Sequence, residues 1–212
     1  MIPPYIREID PLHPDRSLII LTAEILKKGC LVVAPTETRY GLIARTDDIR
    51  AMARLYDLKK RDKTVPTAVF VRSRKEIGII GEENDFSRKL ADCFLPGPLT
   101  LVLKACSAER PPVVVEGKVG IRYSSSPVIK NILEQVDGNL SATSANLSGK
   151  AEPQTVLEIA ALFGGEVALY LDAGPLRSPV STVVDCSSGK AYRILRSGAI
   201  PAEEISKSLE RN

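Results

Sequence analysis

The rhythm of the chain constrains its fold most. Short apolar runs of strand length, closed by proline, glycine or a polar cluster, alternate with segments of helical period. Residues 15–28 read as a helix: Leu18, Leu21 or Thr22, and Ile25 fall near helical spacing, and Gly29 can cap the end. Residues 30–34 are an apolar run with two valines, read as a buried strand that Pro35 ends. The same reasoning predicts strands at 42–45, 67–71, 99–104, 118–123, 140–143 and 167–171. Helices are predicted from Asp47 or Asp48 to about Leu58, near 74–79, and over 85–94, 127–136 and 155–163. Residues 181–186 and 191–195 read as a hairpin across Ser187-Ser188-Gly189-Lys190, and Pro201 opens a closing helix at 201–209. Two strand pairs have no helix between them. The pattern therefore predicts an α/β (α+β) mixed sheet covered by helices, not a strictly doubly wound one.

The 212 residues suit one domain over 1–212, with its core at about 15–200 and the closing helix at about 201–210. With 44% hydrophobic and 26% charged residues, the chain is neither disordered nor fibrous. No apolar run approaches the ~18 residues that span a bilayer. The first ten residues carry Arg7, Glu8 and Asp10 without an apolar stretch, unlike a secretory signal, so a cytoplasmic protein without membrane partners is expected. Arg110-Pro111-Pro112 is too short for a linker and reads as a surface loop.

Rare residues narrow the chemistry. The single histidine, His13, excludes multi-histidine zinc sites and reads as a solvated residue in a loop before a helix. Cys30, Cys93, Cys106 and Cys186 are far apart and form no Cys-x-x-Cys; three of them lie in or beside apolar segments and are expected to be core thiols. An enzyme built on this chain must work with Lys, Arg, Ser, Thr, Asn and carboxylates. The net charge of +3 suits an anionic ligand without by itself arguing for nucleic acid.

Neither Gly-x-x-x-x-Gly-Lys-Ser/Thr nor Gly-x-Gly-x-x-Gly is present, so a bound nucleotide would be held by side-chain cations and hydroxyls. Six segments could supply them. Pro35-Thr36-Glu37-Thr38 follows a buried strand, where open α/β sheets place ligands; it could equally be an ordinary turn. Lys59 and Arg61 close a helix. They either face water or clamp phosphates, and the clamp needs the helix to end near Leu58, since two residues on a regular helix diverge by about 200°. Arg122 stands on an apolar strand and needs an anion, internal or from a ligand. Ser141 to Gly149 is a run of small hydroxyl residues after a strand, either a cap cluster or a phosphate cradle. Ser181 and Arg196 lie at the start and finish of strands.

In order, PTETRYGL at 35–42, KKRDKTVP at 59–66, PGPLTLVL at 96–103, VGIRYSSSP at 119–127, SATSANLSG at 141–149, PVSTVVD at 179–185 and ILRSGAI at 194–200 resemble the YrdC-domain family of threonylcarbamoyl-AMP synthases. The resemblance implies a twisted mixed sheet with helices around a basic concave cavity. It implies nucleotidyl transfer: L-threonine, bicarbonate or CO2, and ATP with Mg2+ become threonylcarbamoyl-adenylate and pyrophosphate. A partner transferase would use that product for N6-threonylcarbamoyladenosine on tRNA. By position, Lys59 and Arg61 would hold ATP phosphates as the catalytic pair, and Thr38, Thr36, Arg122, Ser144 and Ser181 would bind threonine. Lys118, Thr143, Asn146 and Arg196 would approach the nucleotide. The metal ligand stays open between Glu37 and an oxygen of the ligand itself.

Some positions depart from the family pattern. Arg39 replaces an apolar residue, Asp62 a proline and Phe70 a histidine of the longer relatives, and Asp172-Ala173-Gly174 replaces Asp-Gly-Gly. The second domain of those relatives is expected to be absent, and pocket closure is expected from this domain, a partner or a loop. Two other functions fit the same residues: a non-catalytic module binding tRNA or double-stranded RNA through the basic cavity, and carbamoyl-adenylate formation with another substrate. The 5% aromatic content leaves the first few stacking platforms.

Overall fold

The computed structural model describes residues 4–106 and 113–210; the proline pair at 111–112 and Arg110 lie outside them. In chain order the elements are β1 (Ile6–Glu8), α1 (Arg16–Lys27), β2 (Val32–Pro35), β3 (Tyr40–Ile43), α2 (Ile49–Leu58), β4 (Ala68–Phe70) and α3 (Arg74–Ile80). β5 (Gly81–Glu82), α4 (Asp85–Phe94), β6 (Leu99–Ala105), β7 (Val114–Val115), β8 (Lys118–Arg122), α5 (Pro127–Gln135) and β9 (Leu140–Ser144) follow. The chain continues with α6 (Val156–Phe163), β10 (Leu169–Asp172), β11 (Thr182–Asp185), β12 (Arg193–Arg196) and α7 (Ala202–Glu210).

Local chemistry sets these boundaries. Asp15 caps α1 by accepting from Leu18 N, and Asp48 caps α2 by accepting from Arg50 N and Ala51 N. Reciprocal capping boxes start α4 (Asn84 with Ser87) and α6 (Thr155 with Glu158). β2 begins later than the sequence suggests, because Gly29 turns the chain at φ +74° and Cys30 N still bonds to Ile25 O. β3 begins earlier, because Pro35 pairs directly with Tyr40 across a four-residue turn. The sequence reading missed β1, β5 and β7, of three, two and two residues, which carry no alternation long enough to read.

The strands form a twelve-stranded mixed sheet, ordered β1-β10-β2-β3-β9-β4-β8-β6-β11-β12, with β5 beside β6 and β7 beside β8. β1, β10 and β2 run parallel, as do β4 with β8 and β6 with β11; the remaining pairs are antiparallel. On one face Val32, Ala34, Leu169 and Leu171 pack with Leu18 and Leu26 of α1 and Ile129 and Ile132 of α5. On the other, Val33, Leu42, Val69, Leu101 and Ile121 pack with Leu55 of α2, Ile77 of α3, Leu90 of α4 and Ile159 of α6. The cysteine expectation needs correction: Cys186 is buried, Cys30 and Cys106 are half-buried, and Cys93 is exposed. His13 is exposed, as expected, with Asp10 3.8 Å away.

Period two in the strands places the cavity. Ala68 and Phe70, Gly120 and Arg122, and Thr100 and Val102 alternate with Val69, Ile121 and Leu101, which turn into the core on the other face, and they line one concavity together with Ala142, Thr143 and Ser144. Its floor is small by necessity at Gly120, where an added Cβ would lie 3.0 Å from Ala68 Cβ.

Candidate active site

The cavity has a volume of about 490 Å³ and gathers residues from β3, β4, β6, β8, β9, β11, β12 and the loops between them. Among the described residues its lining carries six cations, Arg39, Arg61, Lys118, Arg122, Arg193 and Arg196, against three carboxylates, Glu116, Glu152 and Asp185. That imbalance favours an anionic ligand.

The turn between β2 and β3 is built on Thr36. Its Oγ1 donates to Arg39 O at 2.7 Å and accepts from Thr38 N and Arg39 N at 3.1 and 3.2 Å. Thr38 Oγ1 lies 3.0 Å from Thr36 Oγ1. Both side chains are buried at the cavity wall. Arg122, at the end of β8, reaches them: its Nη2 donates to Thr38 Oγ1 at 2.7 Å and to Glu37 Oε1 at 2.9 Å, while its guanidinium stacks 5.4 Å from the Phe70 ring centroid. Ser124 Oγ donates to the other Glu37 oxygen. The anion that Arg122 needs is thus Glu37, an internal one, yet Arg122 also lines the cavity and its Nε is buried without a partner among the described residues.

Helix α2 stops at Leu58, as a Lys59–Arg61 convergence requires, but the two side chains part company. Lys60 adopts φ +51°, and Arg61 N bonds back to Tyr56 O at 2.9 Å. Arg61 then lines the cavity, steadied by Val65 O at 3.1 Å and Pro66 O at 2.8 Å. Lys59, 1% exposed, lies outside the lining. Its Nζ donates to Ser144 O, to Asn146 O at 2.8 Å and to Asn146 Oδ1 at 3.2 Å. Burial, aided by repulsion from Arg61, pulls this ammonium down to about 7 against the attraction of Glu152.

Lys59 thereby holds the hydroxyl loop after β9. Ser144 Oγ donates to Asn146 Oδ1 at 2.7 Å, and Asn146 Nδ2 donates to Lys150 O at 2.7 Å. Thr143 and Ser144 line the cavity; Asn146 is buried behind them. Just before β11, Ser181 Oγ is 3.1 Å from Thr100 Oγ1 and accepts from Arg196 Nη2, at the end of β12, at 2.9 Å. Arg196 Nε donates to Ser181 O at 3.0 Å. Burial lowers the Arg196 pKa against the charge of Glu152, and Arg122 and Arg61 add to the lowering. Lys118 Nζ donates to Asp185 Oδ2 at 3.1 Å, and Arg193 stands 3.6 Å from the same oxygen. Burial opposes ionisation of Asp185, but bonds from Ser187 and Lys118 outweigh it and lower its pKa.

Of the residues singled out from sequence, Thr36, Thr38, Arg61, Lys118, Arg122, Thr143, Ser144, Ser181 and Arg196 share this cavity, and Lys59 and Asn146 stand behind it. Sequence reasoning missed Thr100, Asp185, Arg193 and Glu152. The first two were within reach: Thr100 alternates with Leu99 and Leu101, and Asp185 with Val184, on strands read correctly. Arg39, the cation out of pattern, also lines the cavity and donates to Leu176 O at 2.8 Å.

The Sua5/YciO/YrdC family model, described as Telomere recombination, matches residues 24–198, and the chain belongs to that family. A Methanocaldococcus jannaschii relative is 34% identical over 203 residues, covering 95% of each chain. Rattus norvegicus threonylcarbamoyl-AMP synthase is 31% identical over 203 residues, covering 90% of this chain and 71% of that one. The crystal structure of Pyrococcus abyssi Sua5 complexed with L-threonine superposes with a TM-score of 0.89 at 30% identity, covering 97% of this chain and 61% of that one. Among the described residues no helix is long and apolar enough to cross a membrane.

Proposed function

We propose that this chain is an L-threonylcarbamoyladenylate synthase, a nucleotidyltransferase acting on L-threonine, bicarbonate or CO2, and MgATP. One observation carries the reading: Arg122 with its two threonine hydroxyls, Arg61, and Arg196 with Ser181 all open into one cavity beside Thr143 and Ser144. A cavity so built offers separate cations to a small carboxylate and to a triphosphate.

The chemistry follows from charge. The threonine amine attacks the carbon of CO2, an N–C bond forms, and the amine proton passes to solvent. The resulting N-carboxylate oxygen attacks the α-phosphorus of ATP, the α–β bridging P–O bond breaks, and pyrophosphate leaves. Both reactants are anions, so repulsion dominates the barrier. Positioned cations relieve it without a histidine or cysteine. Arg122 suits the threonine carboxylate, with Thr36, Thr38, Ser144 and Ser181 around the amino acid. Arg61 and Arg196 suit the phosphates, and Lys118 the nucleotide. Lys59 and Asn146 hold Ser144 in place. A magnesium ion enters with the nucleotide. The product supplies a transferase that modifies tRNA adenosine.

Pyrophosphate release from MgATP and bicarbonate tests the reading. It is expected to require L-threonine, and to fall at least about 100-fold in Arg61→Ala, on the scale of losing one preorganised transition-state donor. Release that ignores threonine would overturn it.

A further inference from the structure

The three carboxylates in the cavity are not equivalent. Asp185 is held by Lys118, Arg193 and Ser187. Glu116 is an exposed turn residue at φ +51°. Glu152, in the loop between β9 and α6, has an oxygen, Oε2, that is buried without a hydrogen-bond partner, and no ion pair among the described residues involves it. Its charge is nonetheless felt at Lys59 and Arg196, both of which also feel Arg61. A carboxylate thus stands inside the cation cluster assigned above to the phosphates, and pairs with none of it.

A buried unpaired carboxylate oxygen calls for a donor or a cation. A triphosphate alone would worsen matters, since like charges in a partly desolvated site repel strongly. A divalent cation between the two reverses the sign. Magnesium is commonly bound by one or two protein carboxylates together with substrate phosphates, keeping several waters. We infer that Glu152 supplies the protein carboxylate, directly or through one water, to the divalent cation that accompanies the nucleotide triphosphate. The inference rests on the nucleotide reading above. It gives the chain a metal contact outside every motif the sequence offered.

Calorimetric titration of the full chain with unreactive α,β-methylene-ATP, with Mg2+ and then with EDTA, tests it. Wild type is expected to bind at least about tenfold more tightly with Mg2+, the low end of what even an outer-sphere metal partner contributes. In Glu152→Gln that ratio falls to about one, because metal-free binding holds or improves once a negative charge is gone; Glu152→Asp keeps part of it. With Mn2+ as the probe, the spin-resonance spectrum of the ternary complex differs between wild type and Glu152→Gln. A Glu152→Gln protein that keeps the full Mg2+ ratio, or that loses threonine affinity instead, overturns the inference alone. A wild type that binds no nucleotide in either condition overturns the nucleotide reading and the inference with it.

Discussion

Replacing Lys59 with methionine separates two effects that act on one buried atom. In wild type Nζ serves three oxygens, those of Ser144 and Asn146 main chain and the Asn146 amide, at a site 1% exposed. Methionine fills similar volume but leaves those oxygens without their donor, which costs about 1–3 kcal/mol for each buried group left unsatisfied and not re-solvated. The folded pKa of about 7 lies below the ordinary lysine value of 10.5. Between those values the unfolded chain holds a proton that the folded chain has released, so wild-type stability rises with pH across that window and is lowest, as far as this group goes, below 7. One proton's difference is worth roughly 1.4 kcal/mol per pH unit. Wild type therefore gains roughly 2 kcal/mol from this group between pH 7 and 9. The variant lacks the group, so its deficit relative to wild type widens by that amount. Urea unfolding of both proteins at pH 7, 8 and 9 measures the difference, and titrations common to both cancel. Parallel stability profiles would refute the argument and show that the three oxygens keep Lys59 charged in the folded state.

Two other substitutions probe the site from different sides. Arg122→Ala leaves Glu37, 13% exposed, with Ser124 alone, and is expected to destabilise by about 3 kcal/mol in chemical unfolding; Arg122→Met with Glu37→Gln recovers part of that, and no recovery would argue against the pair. Gly120→Val puts a Cβ 3.0 Å from Ala68 Cβ on the cavity floor; it is expected to lower stability by about 1–3 kcal/mol and to weaken threonine binding in calorimetry, and unchanged threonine affinity would place the amino acid elsewhere.

The helices were legible because their caps are local: Asp15, Asp48 and the Thr155–Glu158 box announce themselves within four residues. The long strands were legible through their apolar runs. β1, β5 and β7 were not, since two or three residues hold no period and owe their place to partners elsewhere, as Ile6 does to Tyr170. Nine of the cavity's lining residues were readable as polar residues in loops and on strands. Lys59 was not readable as a buried residue. A lysine closing a helix ordinarily faces water, and its burial depends on a loop some 85 positions further along that folds over it. Arg122 was left between an internal carboxylate and a ligand, and the fold supplies the first while keeping it at the cavity wall. Glu152 gave no signal, because an unpaired carboxylate is a property of its neighbours, not of its own segment.

The central claim is that one cavity joins threonine, a one-carbon unit and the adenylate. Incubation with carbon-labelled bicarbonate, labelled L-threonine and MgATP, followed by rapid separation of nucleotides, tests this directly. Both labels are expected in a single adenylate in equal amounts, formed in step with pyrophosphate. An adenylate carrying the bicarbonate label without threonine, or threonine without the bicarbonate label, would contradict the account.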